Sequence, residues 1–428
     1  MLSDARTLAV EGGKPVRRGG WPAWPVVDQR LEAAVQSALR SGLWTLSGPA
    51  NGRAPLERAF AERFARLCRT RHAVTTDHGS ESLELALEAL DVGPGDDVIV
   101  PILTWVATAT AVLNVGATPV FVDAEPDTGC LDIEEARAAA RGATAAAIPV
   151  HLHCAMVDVP RLRARLPAGV PIIEDCAQAH GAAWQDAPAG SLGTMGAFSF
   201  QQGKVLTAGE GGAVCTNDDR LYDRLLQLRA DGRRYGAPAE VGDLYLVPGE
   251  LMGRNCCLTE LQAAILLEGL ERLPAQTARR EAAFRRLRDE LGRIGLRVLE
   301  PPGKMSRLSI YEVPVLWPDS AVRSCGVEHL ARAVSAEIGF PVYRPDPPLH
   351  RSPLYCPWTK RRYREQPSGS ERLHGPLRRA FPVADHLYDH LTNFHHSVLL
   401  APPSDLDDIV AAFDKVRRAV ELGWSPLS

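Results

Sequence analysis

No apolar run in this sequence approaches the roughly 18 residues that a membrane-spanning helix needs, so no transmembrane role is expected. The opening Met1-Leu2-Ser3-Asp4 carries no basic stretch followed by an apolar one, the mark of a secretory signal, and the expected location is the cytoplasm. Excess positive charge is missing too. The 48 Lys and Arg stand against 52 Asp and Glu and are scattered, which leaves no electrostatic ground for a nucleic-acid partner. Nine cysteines, odd in number and irregular in spacing, do not make a disulfide framework and are expected as reduced thiols. Cys256 and Cys257 are adjacent, a spacing unlike that of a zinc-ligand pair, so no metal is expected. Internal repeats and low-complexity tracts are absent.

What is present is a chain of 428 residues, 45% of them hydrophobic, enough for a large core and for two or three structural units. Residues 1–54 are rich in Gly, Pro and Trp, and Gly12-Gly13-Lys14-Pro15 and Trp21-Pro22-Ala23-Trp24-Pro25 predict turns rather than long elements, wrapping over another surface. Apolar residues at helical spacing, Leu56, Phe60, Phe64 and Leu67, predict a helix over 55–69. From Ala73 to about Val214 short apolar runs alternate with helical stretches, the signature of an α/β fold with a mostly parallel sheet and helices on both faces. Its predicted strands include 98–101, 118–122, 146–150 and 171–174, and its predicted helices 82–90 and 105–115. Longer helices are expected over 219–230 and 258–292, the second connecting to a smaller C-terminal part. The resulting division is 1–54 as a wrapping segment, 55–270 as the large domain and 271–428 as the small one. Residues 341–379, dense in Pro, Arg and aromatics, read as an ordered loop near the active site without regular elements.

Chemistry gathers at two places. The apolar strand before Glu174-Asp175 delivers Asp175 at its carboxyl end, the edge where open α/β sheets bind ligands. Alone, such an Asp is more often a helix cap or a turn residue. Downstream, Lys204 lies between the apolar strand Gly196-Ala197-Phe198-Ser199-Phe200 and the glycine-rich Ala208-Gly209-Glu210-Gly211-Gly212, so its ammonium is expected in a site where burial lowers its pKa and frees an amine for a Schiff base. Pyridoxal phosphate needs that amine, a carboxylate for its ring nitrogen and donors for its phosphate. The donors are expected at His78-Gly79-Ser80, where a helix opens and Gly79 allows close approach, although a plain helix start with a serine cap fits the same residues. Trp105 fits either a stacking ring or a core tryptophan.

These segments resemble the DegT/DnrJ/EryC1/StrS sugar aminotransferases over almost the whole chain. The resemblance is carried by Gly79-Ser80, Val100-Pro101-Ile102-Leu103-Thr104-Trp105-Val106-Ala107-Thr108, Pro149-Val150-His151-Leu152, Glu174-Asp175-Cys176-Ala177-Gln178-Ala179-His180-Gly181 and Gly203-Lys204-Val205-Leu206-Thr207-Ala208-Gly209-Glu210-Gly211-Gly212. It implies the aspartate-aminotransferase type of pyridoxal-phosphate fold, fold type I, with a smaller C-terminal α+β domain. It also implies that Lys204 binds the cofactor covalently and that Asp175 partners the ring nitrogen. Gln178 would lie near the ring hydroxyl, Gly79, Ser80 and Ser199 would hold the phosphate, and Trp105 would stack on the ring. Asn255, in Gly253-Arg254-Asn255-Cys256-Cys257-Leu258, matches an Asn that reaches a neighbouring subunit's phosphate, so a homodimer with shared active sites is implied. Lys204 stands where dehydrating members carry His, which implies amino transfer.

Within the family the chain is most similar to the aminotransferases of scyllo-inosose and 2-deoxy-scyllo-inosose in aminoglycoside antibiotic biosynthesis. The shared features are Gln201-Gln202-Gly203-Lys204, Leu228-Arg229-Ala230-Asp231-Gly232-Arg233-Arg234-Tyr235, Cys356-Pro357-Trp358-Thr359-Lys360 and His395-His396. Nucleotide-sugar members more often have Arg where Cys257 stands, and the loss of that cation fits a substrate without a diphosphate. A polyol ketone needs hydroxyl partners instead, for which Asp231, Arg233, Tyr235, His395 and His396 are candidates, each open to a packing or surface role. The implied reaction takes an amino group from L-glutamine, leaves pyridoxamine phosphate, and passes the group to the ketone with ping-pong kinetics. His78, where Asn or Ser is usual, departs from the pattern. A keto sugar on a nucleotide, an aromatizing aminodehydroquinate-type activity and a cofactor-binding pseudoenzyme are the competing readings.

Overall fold

The computed structural model describes residues 7–46, 55–235, 246–364 and 377–426. Calls on 1–6, 47–54, 365–376 and the side chain of Tyr235 therefore lie outside the described residues.

The N-terminal segment corrects the expectation of turns alone, because it contains the 13-residue helix α1, Gln29–Ser41. Asp28 caps it by accepting the Leu31 N–H at 3.0 Å, and Gly42 ends it in the left-handed region at φ 71°. Helix α2, Leu56–Cys68, buries Phe60 and Phe64 as its apolar spacing requires. Next come β1 (His72–Thr76), α3 (Gly79–Ala89), β2 (Asp97–Pro101), α4 (Val106–Asn114), β3 (Thr118–Val122), α5 (Ile133–Ala139) and β4 (Thr144–Ala147). They are followed by α6 (Val159–Arg165), β5 (Ile173–Asp175), β6 (Met195–Ser199), β7 (Gly212–Thr216), α7 (Asp219–Leu228) and the long α8 (Glu260–Arg293). The predicted strands over 146–150 and 171–174 shift because Pro149 and Pro171 have no N–H to give a ladder. Past β4 and β5 the chains stay joined by parallel bridges, Ala147 to Ile172 and Val150 to Asp175.

With those bridges the strand order is β3-β2-β4-β5-β6-β7-β1, and β7 alone runs antiparallel to its neighbours. Strand alternation then builds two cores. Ala73, Phe198, Ala213 and Cys215 face one, and Val74, Ala197 and Val214 face the other. On the first face the rings of Phe60 and Phe64 meet those of Phe198 and Phe200 at centroid separations of 4.9 to 5.3 Å. Each buried ring contributes on the order of 2 kcal/mol by leaving water, which ties α2 firmly to the strand that leads into Lys204.

The C-terminal part carries β8 (Arg297–Val298), β9 (Glu312–Leu316), α9 (Asp319–Cys325), α10 (Val327–Ile338), β10 (Val342–Tyr343), α11 (Pro382–His390), β11 (Leu391–His395) and α12 (Leu406–Glu421). Its strands form one antiparallel sheet in the order β8-β9-β11-β10, with Trp317 stacked on Phe413 of α12. The segment 341–379 is less irregular than expected, since it holds β10, a 3-10 turn at Pro357–Thr359 and a helical turn at Arg361–Arg364. Among the described residues no helix is long and apolar enough to cross a membrane.

Candidate active site

A cavity of about 460 Å³ opens at the carboxyl edge of β5 and β6, and both Asp175 and Lys204 line it. Adjacent acids on β5 point to opposite sides, as a strand dictates. Glu174 turns away and accepts the N–H groups of Gly190, Leu192 and Gly193 at 3.1, 2.7 and 2.6 Å, together with His151 Nε2 at 3.0 Å. Asp175 turns to the cavity and is only 5% exposed. Its Oδ2 accepts the Thr108 hydroxyl at 2.9 Å and its Oδ1 the Ala177 N–H at 3.1 Å. Burial raises its pKa, while those two hydrogen bonds and the charge of Lys204 work in the other direction. Among the described residues no cation pairs with it directly.

Lys204 sits in the turn after β6, and its own N–H bonds Gln201 O at 2.9 Å. The carbonyl of the preceding residue, Gly203, accepts from two histidines at once, His395 Nε2 at 2.8 Å and His396 Nε2 at 3.2 Å. Arg280 donates to His396 Nδ1 at 3.1 Å, which leaves the ring proton on Nε2 for that carbonyl. Trp24 completes the clamp by donating to Gln202 O at 2.9 Å, with its ring edge-on to His396. Trp24 of the N-terminal segment thus contacts the lysine turn. The Lys204 ammonium lies 4.1 Å above the Tyr311 ring centroid. Burial lowers its pKa, against the favourable charges of Glu312, Asp175 and Asp346.

Glu312, at the start of β9, is itself held by three donors: His153 Nδ1 at 2.9 Å, Asn393 Nδ2 at 2.8 Å and the Tyr343 hydroxyl at 2.9 Å. Burial disfavours its charge, but the three donors prevail and its pKa is lowered. The C-terminal sheet therefore brings a fixed negative charge near the amine from elements that carry no sequence motif.

The other wall is the start of α3. His78 occupies the N-cap position but its side chain caps nothing, so the first amide N–H groups of the helix are left without intrahelical acceptors where Gly79 and Ser80 line the cavity. Gly79 is required there, because a Cβ would lie 2.4 Å from Cβ of Ser199. Arg254 braces α3 from outside through Glu81, Glu84 and Glu88 at 2.7, 3.1 and 2.6 Å. Trp105 is 49% exposed and lines the cavity, which removes the core-tryptophan alternative. Gln178 also lines it, with its Oε1 accepting the His153 N–H at 2.6 Å.

The sequence candidates for substrate contacts fare differently. Asp231 and Arg233 pair with each other at 2.7 Å away from the cavity lining, and His395 and His396 hold the Gly203 carbonyl instead of lining the cavity. Asn255 is exposed and lies outside the lining of this chain's own cavity. Tyr311, Asp346, Thr108 and Glu210 line the cavity and were not singled out from sequence. Among the described lining residues Lys204 is the one lysine or arginine.

This donor set fits pyridoxal phosphate. It combines a desolvated amine, a buried carboxylate lacking a direct cation partner, unpaired helix-start amides beside Ser199, and a tryptophan face open to the space between. A family model described as the DegT/DnrJ/EryC1/StrS aminotransferase family matches residues 25–411. The L-glutamine:2-deoxy-scyllo-inosose aminotransferase of Streptomyces kanamyceticus is 44% identical over 420 residues, 97% of this chain and 98% of the relative. The L-glutamine:scyllo-inosose aminotransferase of Streptomyces griseus is 42% identical over 415 residues, 96% of this chain and 97% of the relative. Among solved structures, a 3-amino-5-hydroxybenzoic acid synthase superposes with a TM-score of 0.79 at 29% identity, over 95% of this chain and 100% of that one.

Proposed function

The chain belongs to the DegT/DnrJ/EryC1/StrS aminotransferase family, and from that premise we propose that it moves the amino group of L-glutamine onto scyllo-inosose or 2-deoxy-scyllo-inosose in aminoglycoside-type biosynthesis. The observation that carries the reading is the make-up of the cavity, where Lys204 and Asp175 meet and no second lysine or arginine lines the described wall. A diphosphate-linked sugar would call for such cations, and an uncharged polyol does not.

Pyridoxal phosphate would be held by Lys204 Nζ, with Asp175 at the ring nitrogen, Gly79, Ser80 and Ser199 at the phosphate, Gln178 near the ring hydroxyl and Trp105 against the ring face. Bound there, it supplies an electron sink for the charge left when a proton departs from the donor's α-carbon. Lys204 Nζ takes that proton and, in the second half-reaction, delivers one to the former ketone carbon. The balance is one glutamine and one ketone consumed, one keto acid and one aminocyclitol formed. Asp175 would supply the counter-charge of a protonated ring nitrogen where water is excluded, and Thr108 and Ala177 hold its two oxygens in place. His395, His396 and Trp24 act as positioning residues for the lysine turn. Asn255, exposed on this chain, is assigned to a second copy's phosphate, and the working unit is a cytoplasmic homodimer.

Mass spectrometry of reactions with glutamine and each of the two ketones tests the substrate. An amine product from either one is expected. Product from neither, with amino transfer to a nucleotide-linked keto sugar, replaces the reading by its alternative.

Asp346 offers a sharper check inside the cavity. Its carboxylate lines the wall beside the Lys204 charge, where a cyclitol ketone carries a hydroxyl donor on at least one carbon flanking the carbonyl and the α-carbon of glutamine carries a repelling carboxylate. Asp346→Asn is expected to raise the ketone KM about tenfold to a hundredfold, the worth of a charged hydrogen bond, and to affect the glutamine half-reaction far less. Stopped-flow measurement of the two half-reactions separates these effects, and equal losses in both would end the assignment.

A further inference from the structure

On the face of the C-terminal part away from the cavity lining, three side chains converge with no task in amino transfer. Asp319 lies in the first turn of α9, and His386 and His390 lie one turn apart at the end of α11. Their ligand atoms all fall within 4.8 Å of one another. The two imidazoles stack at a centroid separation of 4.1 Å, as residues four apart on a helix can. None of the three lines the active-site cavity.

His390 is oriented by its own helix. Its Nδ1 lies 2.8 Å from the His386 carbonyl oxygen, which can only accept, so Nδ1 carries a proton. The other nitrogen, Nε2, lies 3.1 Å from Asp319 Oδ1. That pair is an ordinary ion pair when the imidazole carries both protons and a pair of ligands when a metal ion stands in place of the second one. A donor on the far nitrogen bonded to a carbonyl is also how ligating histidines are usually oriented. Arg323 bonds Asp319 through the other oxygen, Oδ2, at 3.4 Å and leaves Oδ1 free.

We propose that Asp319, His386 and His390 form a divalent transition-metal site that staples α9 to α11. Two imidazoles and one carboxylate favour Zn²⁺, with Ni²⁺ and Cu²⁺ as close competitors, over the hard Mg²⁺ and Ca²⁺. Three protein ligands at about 2.0–2.2 Å leave the fourth tetrahedral position to water, and the ligand atoms would then stand about 3.3 Å apart. Asp319 and His386 are exposed, and closing that gap turns their side chains and shifts the His386–His390 stack. The joint matters mechanically because β11 begins directly after His390 and ends at His395, one of the two histidines on the Gly203 carbonyl.

The test is calorimetric titration of ZnCl₂ into the chelator-treated, cofactor-loaded full chain, together with thermal melts. The wild type is expected to take up zinc at this site and to melt at higher temperature with it. His386→Ala, His390→Ala and Asp319→Asn should each weaken that uptake at least tenfold and lose the melting shift. His386 is exposed, so its truncation leaves the fold intact. Wild type that takes up no zinc, or equal affinity in His386→Ala and wild type, overturns the site.

Discussion

Lys204→Ala is expected to lose the visible absorbance of covalently bound cofactor and to lower kcat by at least about 10⁴-fold, the upper range for removing a positioned acid–base group. The size of the effect follows from the cavity, whose described wall offers no second lysine to take over. The cause would be the amine itself and not a collapsed loop. The turn is fixed through its backbone, by His395 and His396 on the Gly203 carbonyl and by Trp24 on that of Gln202, and none of these bonds involves the lysine side chain. Far-UV circular dichroism of the variant should therefore match that of the wild type when both are free of cofactor. The pH dependence has a definite sign. An amine must be unprotonated to bind a carbonyl covalently, and burial lowers the pKa of Lys204, so attachment should persist below the ordinary lysine range. Turnover near the wild-type rate in Lys204→Ala would remove the assignment.

The parts of this picture that were legible in the sequence are the local ones. An apolar strand ending in an acid, and another ending in a turn with a lysine, are contiguous patterns, and sheet geometry sends both chain ends to the same edge. The helix over Leu56–Cys68 and the strand over Thr118–Val122 could be read from spacing alone. Helix α1 was missed although its signals were present, Asp28 as cap and Gly42 as stop, because just one of its residues, Ala38, is buried and the surrounding Gly, Pro and Trp dominate the composition. Tyr311, Glu312 and Asp346 were not visible for a different reason. They reach the site from the C-terminal part by tertiary packing, and nothing in their local sequence distinguishes them from other strand-edge residues. The histidine pair shows the converse case. His395-His396 stands out as a motif, but which group the rings would serve depends on a carbonyl nearly two hundred residues earlier in the chain.

Asp175→Asn should reduce kcat by about 10²–10³-fold, as when a preorganised electrostatic group is removed from a water-excluded site, while the cofactor still binds. The effect on the cofactor-free protein should have the opposite sign. Because burial raises the folded-state pKa of Asp175 above its ordinary value, the folded state holds this proton more tightly than the unfolded chain. Stability of the cofactor-free protein therefore falls as pH rises through that window, and above it the ionised carboxylate is a net cost to folding. Asn is neutral and nearly isosteric, and it can still accept the Ala177 N–H and bond Thr108, so it removes the cost and keeps the packing. Cofactor-free Asp175→Asn should melt at or above the wild-type temperature at pH 8, and the difference should vanish at low pH once both side chains are uncharged. With cofactor loaded the order reverses, since a protonated ring nitrogen would be the cation that the buried carboxylate lacks. Melts of both forms across pH 5 to 8 read out both signs. A variant that is destabilised without cofactor, yet loses no additional stability relative to wild type when loaded, would make Asp175 a structural residue and leave the ring nitrogen without a partner.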